Sequence, residues 1–163
     1  MKIKALHQYS KDVDTVFGLF HDPAFMKAKY EGIGARNVAV PECAGGEGRY
    51  TVKIKREVPA DVPALLKKFL SPWNTVTQSE TWEGTAGGPY RCTFEIDIAG
   101  VPVTAKGAME LRTQGEGCVN DVQLDVKCGI PLVGGKLADF VGSDAEKAIQ
   151  AEYEFIRDAL ARS

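Results

Sequence analysis

The chain has 163 residues, 44% of them hydrophobic and 26% charged, with a formal net charge of −2. That length suits one domain able to bury roughly 70% of its unfolded surface, and the balance of charge argues against a nucleic-acid partner, which calls for a basic face. No apolar run approaches the ~18 residues that cross a bilayer, and Met1–Gln8 lacks the apolar stretch and cleavage pattern of a secretory signal, so the expected location is cytoplasmic.

Residues 2–10 alternate, with Ile3, Ala5, His7 and Tyr9 on one side, as a half-buried strand does. Ser10 or Asp12 can cap a short helix over 13–20 that gathers Val13, Val16, Phe17 and Phe20 on one face. Asp22-Pro23 then starts a second short helix, which Gly32 and Gly34 end. A short strand is predicted over 35–40, a Gly-rich turn over 44–48, and a clear strand over 49–58 with Tyr50, Val52, Ile54, Arg56 and Val58 pointing inward. Between Pro59 and Trp73 the strands are interrupted. Asp61 can cap a helix over 62–70, apolar through Leu65, Leu66, Phe69 and Leu70, with Lys67 and Lys68 opposite and Ser71-Pro72 as its stop. That helix either caps the core or borders a portal whose lysines make transient contact with anionic headgroups.

Strands return over 74–83, 90–99, 103–112 and 118–128, joined by short turns rich in glycine. Their inward sets are Val76, Gln78, Glu80 and Trp82; Tyr90, Cys92, Phe94, Ile96 and Ile98; Val103, Ala105, Gly107, Met109 and Leu111; and Val122, Leu124, Val126 and Cys128. This pattern describes an antiparallel sheet with one apolar face. Residues 130–162 then read as one long amphipathic helix, and at about 100° per residue Val141, Ala145, Ala148, Ile149, Ile156, Ala159 and Leu160 form its stripe. A one-faced sheet has to be covered, and this helix is the available cover. The expected fold is α+β, one domain over 1–163: a curved antiparallel sheet wrapped around a long C-terminal helix, with two short helices after the first strand.

Several polar residues fall on apolar faces. Arg56, Gln78 and Glu80 do so on the sheet, Glu152 does so near the middle of the helix stripe, and His7 on the first strand. A buried charge is costly unless paired, so an Arg56–Glu80 cross-strand pair is expected. The same groups can orient a ligand headgroup, and a carboxylate in apolar surroundings can move protons. Cys43, Cys92, Cys118 and Cys128 are widely spaced with no CxxC, which predicts buried, inert thiols. His7 and His21 are the only histidines, and neither HExxH nor a Cys/His cluster is present, so no metal or other cofactor is expected. The run Gly129 to Leu137 is one residue too long for a P-loop and lacks the Ser or Thr after Lys136; its Gly134-Gly135 pair suits close packing of helix on sheet or a hinge at the helix entrance.

Tyr9 with the helix that follows, Asp22-Pro23-Ala24-Phe25, Arg56-Glu57-Val58-Pro59-Ala60, Gln78-Ser79-Glu80-Thr81-Trp82 and Ile130-Pro131-Leu132-Val133-Gly134-Gly135-Lys136 together resemble the START-like, or Bet v 1-like, helix-grip superfamily (SRPBCC). The likeness extends over essentially the whole chain and is strongest to its bacterial DUF2505-type branch. The resemblance implies a cavity between the sheet and the long helix, but no chemistry. With it, the inner faces become a lining: Tyr50, Val52, Ile54, Arg56, Gln78, Glu80, Trp82, Phe94, Ile96, Met109, Leu111, Leu124, Glu152 and Ile156 are the candidate ligand contacts, although the apolar ones also suit a filled core. The function this suggests is binding or transport of a small hydrophobic molecule (a lipid, sterol-like or polyketide-like compound). Two alternatives stay open: a cofactor-free cyclase or dehydratase with Glu80 or Glu152 as acid/base, and an interaction protein of the chaperone-activator kind, which needs an exposed apolar patch.

Overall fold

The computed structural model describes residues 1–163. Its elements follow in the order β1 (Lys2–Tyr9), α1 (Val13–Phe20), α2 (Pro23–Gly32), β2 (Arg36–Gly46), β3 (Arg49–Pro59), β4 (Trp73–Glu83), β5 (Tyr90–Ile98), β6 (Thr104–Gln114), β7 (Gly117–Lys127) and α3 (Gly134–Ala161). The seven strands form one antiparallel sheet ordered β1-β7-β6-β5-β4-β3-β2. From β2 to β7 the sheet is a simple meander, and β1 closes the far edge by pairing with β7. The α1–α2 pair therefore carries the chain from one edge of the sheet to the other, and α3 packs inside the curve against β7 and β1. This is the helix-grip arrangement expected from the sequence.

Local chemistry explains the helix starts. Asp12 accepts the backbone N–H of Thr15 at 3.2 Å, and Asp22 accepts those of Ala24 and Phe25, with Pro23 in the first turn. On α1, Phe17 stacks on Tyr90 at 3.7 Å, and the Tyr90 hydroxyl donates to Asp14 at 2.6 Å. These contacts clamp α1 onto one end of the sheet.

Three expectations are corrected. The strand predicted over 35–40 runs on to Gly46, and only Glu47-Gly48, both at positive φ, form the hairpin turn. Because β2 is an edge strand, Pro41 can sit in it without removing a ladder bond, and the ladder with β3 absorbs register shifts between Arg36, Ala39 and Glu42. The helix predicted over 62–70 shrinks to a 3-10 turn, Ala64–Leu66, with no side-chain cap from Asp61. A segment held between Pro63 and Ser71-Pro72 is too short to repay helix nucleation; Leu66 and Leu70 are buried where the turn packs toward Leu137 of α3. The C-terminal helix begins at Gly134 rather than Ile130, after a turn in which Leu132 has positive φ and is exposed.

The cysteine expectation holds in part. All four are free, with Cys92 and Cys118 buried, but Cys43 and Cys128 retain partial solvent access. Burial pushes the Cys118 thiol up to about 11, away from thiolate character.

Candidate functional site: a cavity between the sheet and the long helix

The inner face of the sheet and α3 do not meet in a filled core. They enclose a cavity of about 490 Å³, and 28 of its 40 lining residues are hydrophobic. Close-packed interiors leave few voids larger than a water molecule, so this space is a feature of the fold. On the α3 stripe, Val141, Ala145, Ala148 and Ile149 line it and are half-buried, Ile156 lines it and is buried, and Leu160 farther along is buried outside it.

Of the candidate contacts, Ile54, Arg56, Gln78, Glu80, Trp82, Phe94, Ile96, Met109, Leu124, Glu152 and Ile156 all line the cavity. Tyr50, Val52 and Leu111 do not. Tyr50 packs edge-on to Phe17 and His21, Val52 lies in a cluster with Met26 and Tyr30, and Leu111 is completely buried in the main core. Alternation puts them on the correct face, but α1 and α2 cover that part of the face. Sequence reading missed the contribution of α2, whose Met26, Lys29, Tyr30 and Ile33 close one side of the cavity. The signal was available: Lys29 stands three residues after Met26 and four before Ile33, a charge on an apolar helix face.

Two polar groupings interrupt the apolar wall. The first is on β3 and β4. Arg56 Nη2 donates to Gln78 Oε1 at 3.2 Å, Gln78 Nε2 donates to Glu80 Oε2 at 2.6 Å, and Trp82 Nε1 donates to Glu80 Oε1 at 2.9 Å. The expected Arg56–Glu80 ion pair is thus replaced by a relay through Gln78. Register is the reason: Arg56 lies opposite Val76 and Val52 opposite Glu80, so the two charges are offset by about 13 Å along the strand. The Arg56 guanidinium also lies over the Tyr30 ring at 4.2 Å, and its Nη1 is buried with no partner. Burial, with Glu152 adding to it, pushes the Tyr30 hydroxyl up to about 12, so it stays a neutral donor.

The second grouping joins α2 to α3. Lys29 Nζ and Glu152 Oε1 are 2.9 Å apart, with 11% and 20% of the side chains exposed. Glu152, expected to face the polar residues of the sheet, instead takes its partner from a helix. Burial is the largest single influence on Lys29 and works to discharge it, but the Glu152 carboxylate, joined by Tyr30 and Glu80, holds the ammonium above its ordinary range. Beyond this pair, His7 stacks on Tyr153 at 4.3 Å, and the Tyr153 hydroxyl donates to the Gln8 carbonyl. Burial lowers the His7 pKa, with Glu152 opposing, so His7 is neutral at physiological pH.

At one end of the cavity Ala60, Asp61, Leu70 and Asn74 contribute to the wall, so the connection between β3 and β4 both caps the core and borders the cavity. No group of three His, Cys, Asp or Glu side chains is arranged as a metal site, and no helix is long and apolar enough to cross a membrane.

The sheet, the enclosed helix and the cavity define the helix-grip class. Solved structures of that class match over nearly the whole chain at low identity. A protein from Thermus thermophilus, TTHA0849, aligns at 16% identity and a TM-score of 0.67, covering 100% of this chain and 99% of its own. Ara h 8.0201 aligns at 14% and 0.62, covering 100% and 99%. Human STARD10 aligns at 14% and 0.59, covering 95% of this chain and 62% of its own. Within that class the chain belongs to the family described as Protein of unknown function (DUF2505), whose model matches residues 4–160. Among curated protein sequences there is no match.

Proposed function

We propose that the protein binds a small hydrophobic ligand (a lipid, sterol-like or polyketide-like molecule) in the cavity between its sheet and α3. The observation that carries this reading is the cavity itself: about 490 Å³ with 28 of 40 lining residues hydrophobic, within the roughly 300–1,000 Å³ typical of small-molecule sites. A few polar groups in an otherwise apolar wall supply orientation. The acid/base alternative receives less support, because both Glu80 oxygens already accept N–H bonds and Glu152 is held by Lys29. Four large apolar side chains are exposed, Leu6, Leu65, Trp73 and Leu132, on four separate segments.

The test is displacement of an environment-sensitive dye, backed by native mass spectrometry of the purified protein. Ala148 lines the cavity from α3, and Ala148→Phe fills part of it without adding a polar group. The variant is expected to stay within about 1 kcal/mol of the wild-type stability while losing about tenfold or more in dye affinity. Equal dye affinity in the two proteins, with no co-purifying ligand, sinks the proposal.

A further inference from the structure

Around the Lys29–Glu152 pair, polar groups of the cavity wall are left both unmatched and reachable. Tyr153 donates its hydroxyl to the Gln8 carbonyl, but the hydroxyls of Tyr9 and Tyr30 have no hydrogen-bond partner in the protein. Nor has either nitrogen of the His7 ring, and Glu152 meets Lys29 through Oε1 alone. All four residues line the cavity. Arg56 Nη1 and Asn120 Oδ1 are also unpartnered, yet they are sealed from the molecular surface; the free atoms of His7, Tyr9, Tyr30 and Glu152 are not.

These groups come from three elements and meet at one place. His7 and Tyr9 stand two residues apart on the inner face of β1, and the Tyr153 ring stacks on the first at 4.3 Å and meets the second edge-on at 5.4 Å. Tyr153 follows Glu152 on α3. From α2, Lys29 Nζ lies 2.9 Å from Glu152 Oε1 and 4.4 Å from the centre of the Tyr30 ring. Burial is the main influence on both phenols and keeps them protonated, and it keeps His7 neutral. The wall therefore offers two kinds of unused group side by side: phenol O–H donors, and acceptors on an imidazole nitrogen and a carboxylate oxygen.

That inventory selects a ligand. A hydroxyl accepts from a phenol and donates to the imidazole or the carboxylate, so it uses both kinds. A ketone or ether oxygen only accepts and leaves the acceptors of the wall unmatched. A carboxylate also only accepts, and it arrives without a counter-ion: Lys29 is held by Glu152 and Arg56 Nη1 is out of reach.

We propose that His7, Tyr9, Tyr30 and Glu152 form the polar end of the cavity, and that the ligand is an uncharged apolar molecule held there by a hydroxyl group. This rests on the proposed function of the cavity and adds the chemistry of the group recognised.

The experiment compares dodecan-1-ol, its methyl ether 1-methoxydodecane, and dodecanoate as competitors of the dye, on the wild-type protein and on Tyr9→Phe, Tyr30→Phe and the double variant. Each substitution removes an O–H without a protein partner and strands nothing, so the variants are expected to fold. On the wild type the alcohol is expected to compete about fivefold or more better than the ether and dodecanoate, the order of one hydrogen bond to a group otherwise left unpaired. That margin is expected to narrow in each single variant and to fall to about twofold or less in the double variant. If the double variant does not fold, the wild-type series and the single variants decide. An ether or dodecanoate that competes as well as the alcohol overturns the inference, as does an alcohol margin unchanged in the folded variants. In both cases the cavity reading stands, because the dye is still bound and displaced. If the dye does not bind the wild-type protein at all, the cavity reading fails first.

Discussion

At the scale of single residues, the buried charges of the cavity wall matter most where two of them meet. Lys29 and Glu152 are the sharpest case: each alone on an apolar helix face is unfavourable, and together they form a partly buried pair joining α2 to α3. Removing one partner strands the other. Glu152→Gln is expected to destabilise the protein by about 2–3 kcal/mol, the low end for a buried pair because Glu152 keeps some solvent. The double change Lys29→Met with Glu152→Leu is expected to return stability to within about 1 kcal/mol of wild type, since an apolar pair of similar size avoids the desolvation penalty. Urea denaturation of the three proteins measures this. A double variant as weak as the single one refutes the account.

At the scale of elements, two adjacent glycines separate packing from flexibility. A Cβ on Gly134 would stand 2.7 Å from the Cys128 carbonyl oxygen, whereas one on Gly135 meets nothing within 4 Å. Of the two, only Gly134 makes the close packing of helix on sheet that the pair suits. Gly134→Ala is expected to cost about 1–3 kcal/mol through overpacking. Gly135→Ala, in the first turn of α3, is expected to be neutral or stabilising by up to about 1 kcal/mol, because alanine gives up less backbone freedom in a helix. Thermal denaturation of the two variants distinguishes them; equal losses contradict the geometry.

At the scale of the whole molecule, stability depends on keeping both histidines neutral. His21 Nδ1 is 3.0 Å from the Phe17 carbonyl, which sets Nδ1–H as the donor and leaves Nε2 bare and buried without a partner. Burial lowers the pKa of both His21 and His7 below the ordinary 6.5. With the folded value below the unfolded one, their contribution is complete above pH 6.5 and is lost as pH falls through the folded values. The denaturation midpoint is therefore expected to drop between about pH 7.5 and about pH 5, and to drop less in His21→Gln. A variant whose pH dependence matches wild type removes His21 from this account.

Much of this protein was written in local patterns. Alternation of side chains marked six of the seven strands and left β2 short, capping residues marked α1 and α2, and the polar exceptions Arg56, Gln78, Glu80 and Glu152 were identifiable because period and polarity disagreed at those positions. What alternation cannot carry is register and cover. The offset between β3 and β4 decided that Arg56 meets Gln78 instead of Glu80, and the seating of α1 and α2 decided that Tyr50, Val52 and Leu111 lie outside the cavity. The pairing of Lys29 with Glu152 joins residues more than a hundred positions apart. The cavity is likewise a tertiary fact. Each inner face reads as apolar whether it meets another face or empty space, and the distance between sheet and helix is set by the curvature of seven strands acting together.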